Sequence, residues 1–198
     1  SHIGFLRYLA LRFGQNTNEL MVNLVTSYED LDSLIPFVEE IVNEFPEVTS
    51  VVNNINTRKA DVSFGEREIL LFGKPILNEK LNDLTFQISA NSFFQTNSLM
   101  AEKLYDVILD SANLSGNEIV YDLYCGAGSI SLFLARKAKF VYGFDIIVSS
   151  IENAEQNAII NNIENIDFNV ANLDSFFQKN KSNKFPRPDL VIVDPPRA

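Results

Sequence analysis

Apolar and polar positions follow two different rhythms along this chain. Residues 3–12, IGFLRYLALR, and 19–26, ELMVNLVT, have the β-branched and aromatic content of strands. The GQNTN stretch between them is built from turn residues, so the pair predicts a hairpin. Leu34, Phe37, Val38, Ile41 and Val42 recur at helical spacing. Asp30 or Asp32 can cap that helix, which is expected to run to Phe45 before Pro46 stops it. Val48–Ile55 reads as a further strand, with short strand-like pieces at Glu68–Phe72 and Leu84–Ser89. Strands gathered around one helix predict a small α+β domain over residues 1–89.

From residue 90 the rhythm changes. A helix over 98–111 is followed by strand 119–124, helix 129–138, strand 140–145, helix 149–162, strand 166–170 and strand 190–193. Apolar strands alternating with helices predict an α/β unit over residues 90–198, with a parallel sheet covered on both faces. Ligands of such sheets bind beyond the carboxyl ends of the strands. The charged, proline-bearing stretch 179–188 is expected to be an exposed loop.

Candidate chemistry falls at those strand ends. Asp122-Leu-Tyr-Cys-Gly-Ala-Gly-Ser129 follows an apolar strand and opens a helix. Gly126 and Gly128 let the backbone turn tightly and let a ligand come close. A dinucleotide loop calls for a third glycine where Ser131 stands. Asp122 before the loop suits a cationic ligand better than a pyrophosphate, and S-adenosylmethionine carries both a sulfonium and an ammonium. Asp145 ends the next strand, where a carboxylate can accept bonds from both ribose hydroxyls or cap the following helix. Asn172, after the third strand, can bond an adenine edge or simply make a turn. The last strand runs into Asp194-Pro-Pro-Arg197, which stiffens a carboxylate at the cleft floor. Ahead of the unit, Asn91-Ser-Phe-Phe-Gln-Thr-Asn97 sets two aromatics beside Gln95, able to stack a base and bond its edge, or to form a buried staple.

In their order and spacing, SFFQTN, DLYCGAGS, GFD and DPPR resemble the RNA uracil-5-methyltransferase family, and the resemblance extends upstream over Gly4–Thr26. It implies a Rossmann-like, S-adenosylmethionine-dependent methyltransferase unit preceded by a small α+β domain. It also implies methylation of carbon 5 of a uridine in RNA, with 23S ribosomal RNA expected ahead of transfer RNA. By this resemblance Gln95, Asp122, Tyr124, Gly126, Gly128, Asp145, Asn172 and Asp194 would hold the cofactor. Phe93, Phe94, Gln95, Asp194 and Arg197 would meet the target base. The family's nucleophilic cysteine and glutamate base lie downstream of DPPR, so both are expected beyond Ala198 and no catalytic residue is expected within the chain. An N-terminal RNA-binding barrel and a four-cysteine iron–sulfur site, each known in the family, are not expected here.

The chemistry makes that cysteine matter. Carbon 5 of uracil is a poor nucleophile until a thiolate adds at carbon 6, and a base must then remove the carbon-5 proton. Cys125, the one cysteine, sits inside the glycine loop, where packing is expected of it rather than catalysis. One cysteine also leaves no internal disulfide or cysteine cluster, in keeping with a cytoplasmic protein that binds no metal.

The net charge of −10 cuts against RNA binding, because nucleic-acid binders carry a basic footprint. Arg58-Lys59 and Arg136-Lys137 are isolated pairs. RNA would therefore be held mainly by other parts of the protein, and the isolated chain is expected to bind cofactor without turnover. No apolar run reaches the roughly 20 residues that cross a bilayer, and a monomer is expected. Ser1-His2 has the look of a tag remnant. Two rival readings remain at this level: an amino-group methyltransferase, which needs no cysteine, and a non-catalytic cofactor-binding module. A nicotinamide dehydrogenase stands behind both.

Overall fold

A computed structural model describes residues 4–57, 65–173 and 185–195. The chain divides into two compact units, the first comprising residues 1–80 with 87–91 and the second residues 81–86 with 92–198.

The first unit is a four-stranded sheet under one helix. Its strands are β1 (Leu6–Gly14), β2 (Glu19–Thr26), β3 (Val48–Ile55) and β4 (Arg67–Gly73), in the order β1-β2-β3-β4. β2 and β3 run parallel because the helix α1 (Leu31–Glu44) carries the chain back between them; the other pairs are antiparallel. Asp30, not Asp32, caps α1: its carboxylate accepts the Ser33 N–H at 3.2 Å and the Ser33 hydroxyl at 2.7 Å. The inward stripe Leu34 and Val38 packs on Val22, Leu24, Val48 and Val51.

The hairpin β5 (Ile76–Leu81) and β6 (Leu84–Ser89) supplies residues to both units. β5 escapes the hydrophobic pattern because one of its inward positions is Glu79, buried between Leu77 and Leu81. The carboxylate is satisfied by main-chain donors, accepting the N–H groups of Gln15 at 2.7 Å and Asn16 at 3.0 Å in the β1–β2 turn. Such a buried acid is stable only because those donors replace water.

The second unit begins with α2 (Ser98–Ala112), capped by the Asn97 side chain on the Met100 N–H. A four-stranded parallel sheet follows, made of β7 (Ile119–Leu123), β8 (Phe140–Asp145), β9 (Ile166–Val170) and β10 (Leu190–Val193), in the order β10-β7-β8-β9. Two helices, α3 (Ser129–Ala135) and α4 (Val148–Ile160), connect β7 to β8 and β8 to β9. Helix α3 is shorter than its apolar pattern predicts. Asn165, just before β9, donates to the carbonyls of Ala135 and Ala138 and so closes the helix end with a side chain.

One sheet face meets α3 and α4. The other, with Tyr121, Leu123, Tyr142 and Phe144, is packed by Ala171, Leu173 and Phe185 rather than by helices among the described residues. Phe185 sits edge-on to Tyr142 and Phe144 at 5.4 and 5.3 Å, and the Tyr121 hydroxyl donates to the Pro186 carbonyl at 2.6 Å. The described end of the expected exposed loop is thus anchored, because an aromatic residue there covers a bare sheet face. Residues 179–184 of that loop lie outside the described residues.

Candidate functional site at the carboxyl edge of the parallel sheet

β7 ends where the chain leaves extended geometry. Tyr124 (φ +66°), Gly126 (φ +55°) and Gly128 (φ +81°) all take left-handed conformations within five residues. Tyrosine seldom does so, and such a conformation persists only where its surroundings enforce it. Here the Cys125 N–H donates to the Phe144 carbonyl of β8 at 3.0 Å and the Gly128 N–H to the Cys125 carbonyl at 2.9 Å. The two glycines differ in purpose. A Cβ on Gly128 would stand 2.8 Å from Phe168 and 3.0 Å from Ala154, whereas one on Gly126 would meet nothing within 4 Å. Gly128 keeps the sheet and helix together; Gly126 keeps space open above the loop.

Asp122 lies at the base of this loop with 1% of its surface exposed. The Ser131 hydroxyl donates to its Oδ2 at 2.5 Å, which explains a serine where a dinucleotide loop has its third glycine. Among the described residues, Oδ1 is buried and has no hydrogen-bond partner. Burial first, and then the nearby carboxylates of Asp194 and Asp145, raise this carboxyl from an ordinary 3.8 to about 7, against the opposing bonds donated by the Ser131 hydroxyl and backbone N–H.

Asp145 ends β8 and does two jobs. It accepts the Gly126 N–H at 3.0 Å, clamping the loop, and the Ile147 N–H at 2.9 Å, closing the turn into α4. The two readings open at the sequence level, ligand acceptor and helix-start residue, are compatible: each carboxylate oxygen has a second lone pair. Asn172 is exposed just beyond β9, whose end is tied in by the Ala171 N–H on the Asp145 carbonyl at 2.8 Å. Asp194 is exposed one residue past the last β10–β7 pair, Val193 with Leu123, and its charge is felt by Asp122 and Tyr105. Arg197 lies outside the described residues.

Cys125 is buried, and its Sγ lies 3.1 Å from where a Cβ on Gly143 would stand. Burial, and then the carboxylates of Asp122 and Asp145, push its thiol well above the usual pKa. This is the environment of a packed, protonated thiol. In the native protein at about pH 8, Cys125 should react with a soluble thiol reagent at least roughly 100-fold more slowly than in denaturant, since attack needs an accessible thiolate. Equal rates in the two states would make Cys125 a reactive thiol.

The aromatic pair divides. Phe94, 8% exposed, packs on Phe86 at 5.5 Å, in a cluster that continues to Phe133 and Tyr105. Of the two places open to it at the sequence level, against a base or in a buried staple, Phe94 takes the buried one, with its ring against that of Phe86. Phe93 is 64% exposed and Gln95 is half-buried. Sequence reasoning missed three contributors: Ser131 under Asp122, Tyr105, whose hydroxyl donates to Ser129 at the start of α3 at 3.0 Å, and Asn157, which donates to the loop carbonyl of Ala127 at 3.0 Å. Ser131 left a trace in the sequence as the residue in place of a third glycine, and Asn157 as one of three asparagines spaced by four.

Gathered at one sheet edge are a buried carboxylate with an unpartnered oxygen, a second carboxylate with spare lone pairs, a third in the open, and clear space over Gly126. This suits a ligand that carries positive charge and hydroxyl groups. Among the described residues no group of three or more His, Cys, Asp or Glu could hold a metal, and no helix is long and apolar enough to cross a membrane.

A family model described as tRNA (uracil-5-)-methyltransferase matches residues 62–198. An uncharacterized RNA methyltransferase of Oceanobacillus iheyensis is 40% identical over the whole chain, which covers 43% of that protein. One from Bacillus cereus is 43% identical over 98% of the chain and is covered to 42%. The chain therefore spans less than half the length of these curated relatives. Among solved structures, the Pyrococcus abyssi tRNA (uracil-54, C5)-methyltransferase in complex with S-adenosyl-L-homocysteine superposes with a TM-score of 0.76 at 38% identity, over 98% of this chain and 44% of that one.

Proposed function

The chain belongs to the tRNA (uracil-5-)-methyltransferase family, and from that membership we propose that it forms the cofactor-binding part of an enzyme that methylates carbon 5 of a uridine in RNA. The observation that carries the reading is the buried Asp122 oxygen left without a partner beneath an open glycine loop. The residues fit S-adenosylmethionine. Asp122 would accept from its ammonium, Asp145 from its ribose hydroxyls, and Asn172 from its adenine edge, while the missing Cβ at Gly126 makes room. Gln95, Tyr124 and Asp194 complete the pocket. When bound, the cofactor supplies an electrophilic methyl group. The archaeal protein's complex with S-adenosyl-L-homocysteine supports this choice.

Phe93, exposed, would stack a base, and Asp194 and Gln95 would bond its edge. Cys125, buried and protonated, is unsuited to add at carbon 6, so we assign the thiolate and the base to parts of the protein outside these 198 residues. The family's name and the archaeal enzyme both point to transfer RNA, which makes it the first substrate to assay, with 23S ribosomal RNA as the second. A cytoplasmic location belongs to the same reading.

The test is calorimetric. S-adenosylhomocysteine should bind the chain, and Asp145→Ala should weaken that binding by about 1–3 kcal/mol through lost charge-assisted hydrogen bonds. No heat at millimolar ligand would remove the cofactor assignment, and unchanged affinity in a folded Asp145→Ala protein would remove the ribose contact. A tritiated-methyl assay of the whole protein on both RNAs then decides the substrate. Label recovered on an exocyclic amine instead of carbon 5 would overturn the uracil assignment.

A further inference from the structure

Helix α4 carries asparagine at positions 153 and 157, and Asn161 caps its carboxyl end, a spacing of four that sets the three carboxamides along one side of the helix. Each reaches out of the helix to a different segment of the second unit. Asn157, buried, donates its Nδ2–H to the Ala127 carbonyl at 3.0 Å, in the middle of the glycine loop. One turn earlier, Asn153 donates to the Ser92 hydroxyl at 2.6 Å, directly before Phe93. One turn later, Asn161 accepts the Thr85 N–H at 2.9 Å and donates to the Thr85 carbonyl at 2.7 Å, gripping β6 as a neighbouring strand would. Asn153 and Asn161 also bond back to the carbonyls of Ser149 and Asn157 in their own helix.

We infer that Asn157 and Asn153 are positioning residues for methyl transfer, with α4 acting as a ruler between the cofactor loop and the segment that meets the base. The inference rests on the cofactor and base assignments proposed above. A spacing of four residues fixes the two anchor points about 6 Å apart along a rigid axis. At the loop, two side chains act on successive residues: Asp145 takes the Gly126 N–H and Asn157 takes the Ala127 carbonyl. A loop with two left-handed glycines has little stiffness of its own, so these bonds define its shape. At the other anchor, Ser92 is buried while Phe93 is exposed, so the Asn153 bond sets where the free aromatic side chain leaves the surface. Asn161 has the same chemistry and touches neither site, which makes it an internal control.

The three alanine variants are compared in the whole protein for Tm, for S-adenosylhomocysteine Kd by calorimetry, and for kcat and KM in methyl transfer to RNA. Asn157→Ala should raise Kd and the cofactor KM about tenfold, as expected for one buried bond lost at the loop. Asn153→Ala should leave Kd within about twofold and lower kcat about tenfold, because misplacing a reacting partner costs rate rather than affinity. Asn161→Ala should lower Tm and move neither constant. Asn157→Ala with the Tm loss of the control and unchanged Kd would overturn the inference, as would an unchanged kcat for Asn153→Ala. Should Asn157→Ala fail to fold, the half-buried Asn153 position decides by its kcat alone. A parent protein that binds no S-adenosylhomocysteine would instead overturn the cofactor reading, and this inference with it.

Discussion

At about pH 8, the Asp122→Asn protein should melt at a higher temperature than the wild type and bind S-adenosylhomocysteine less well. Asp122 is fully buried, and its carboxyl is raised from 3.8 to about 7 by burial and by Asp194 and Asp145. A folded-state value above the unfolded one means that the contribution to stability is complete below pH 4 and is lost as pH rises through 7. A rise of that size corresponds to about 4 kcal/mol forfeited by the ionised form at alkaline pH. Asparagine keeps the shape and can accept from Ser131, but it carries no charge. Its amide N–H is in turn left without an acceptor, which takes back about 1–3 kcal/mol. A net gain of about 1–3 kcal/mol is expected at pH 8, turning into a loss of about 1–3 kcal/mol near pH 4, where only the unpaired amide N–H remains. Ligand affinity should go the other way. A cation beside Oδ1 favours the carboxylate, so wild-type affinity should rise as pH passes upward through about 7, and the asparagine protein should show a weak, flat profile. The checks are thermal melts and ligand titrations of both proteins between pH 5 and 9. Equal melting curves at pH 8 would mean that Asp122 is not a buried acid under strain.

Gly128→Ala and Gly126→Ala should fail in opposite ways although only two positions separate them. At Gly128 the new Cβ meets Phe168 at 2.8 Å and Ala154 at 3.0 Å, and φ is +81°. Left-handed backbone costs alanine about 1–2 kcal/mol, and overpacking of a core adds about 1–3 kcal/mol. Phe168 fills the space left by Gly143 and has little room to retreat. A loss of about 2–5 kcal/mol is expected, visible in chemical denaturation. At Gly126 the backbone is also left-handed, but the Cβ meets nothing within 4 Å. Stability should fall by about 1–2 kcal/mol only, from the backbone conformation. The methyl group enters the space reserved for the ligand, so S-adenosylhomocysteine affinity should drop about tenfold or more. Comparable stability losses in the two variants, or undiminished affinity in Gly126→Ala, would refute this division of labour.

What the sequence determined by itself was whatever depends on neighbours along the chain. The apolar spacing of Leu34 to Val42, the alternation of strands and helices after residue 90, and the glycines at 126 and 128 place helices α1 to α4, most of the described strands and the cofactor loop. They also set Asp122, Asp145, Asn172 and Asp194 at successive strand ends, because a crossover unit puts every strand's carboxyl end at one edge. Tertiary structure decided the rest. β5 was hidden because its buried Glu79 mimics a surface residue until the N–H groups of Gln15 and Asn16 are brought to it. Phe93 and Phe94 are adjacent and identical in sequence, and only the rings of Phe86 and its neighbours choose which one is buried. Asn157 finds its acceptor 30 residues away in the chain, and Asp145 finds Gly126 at a distance of 19. A hydrophobic residue declares its inward direction through periodicity, since water drives it there whatever it meets. A buried polar atom must have a partner, and the sequence does not name that partner, because it is delivered by the folding of a different segment.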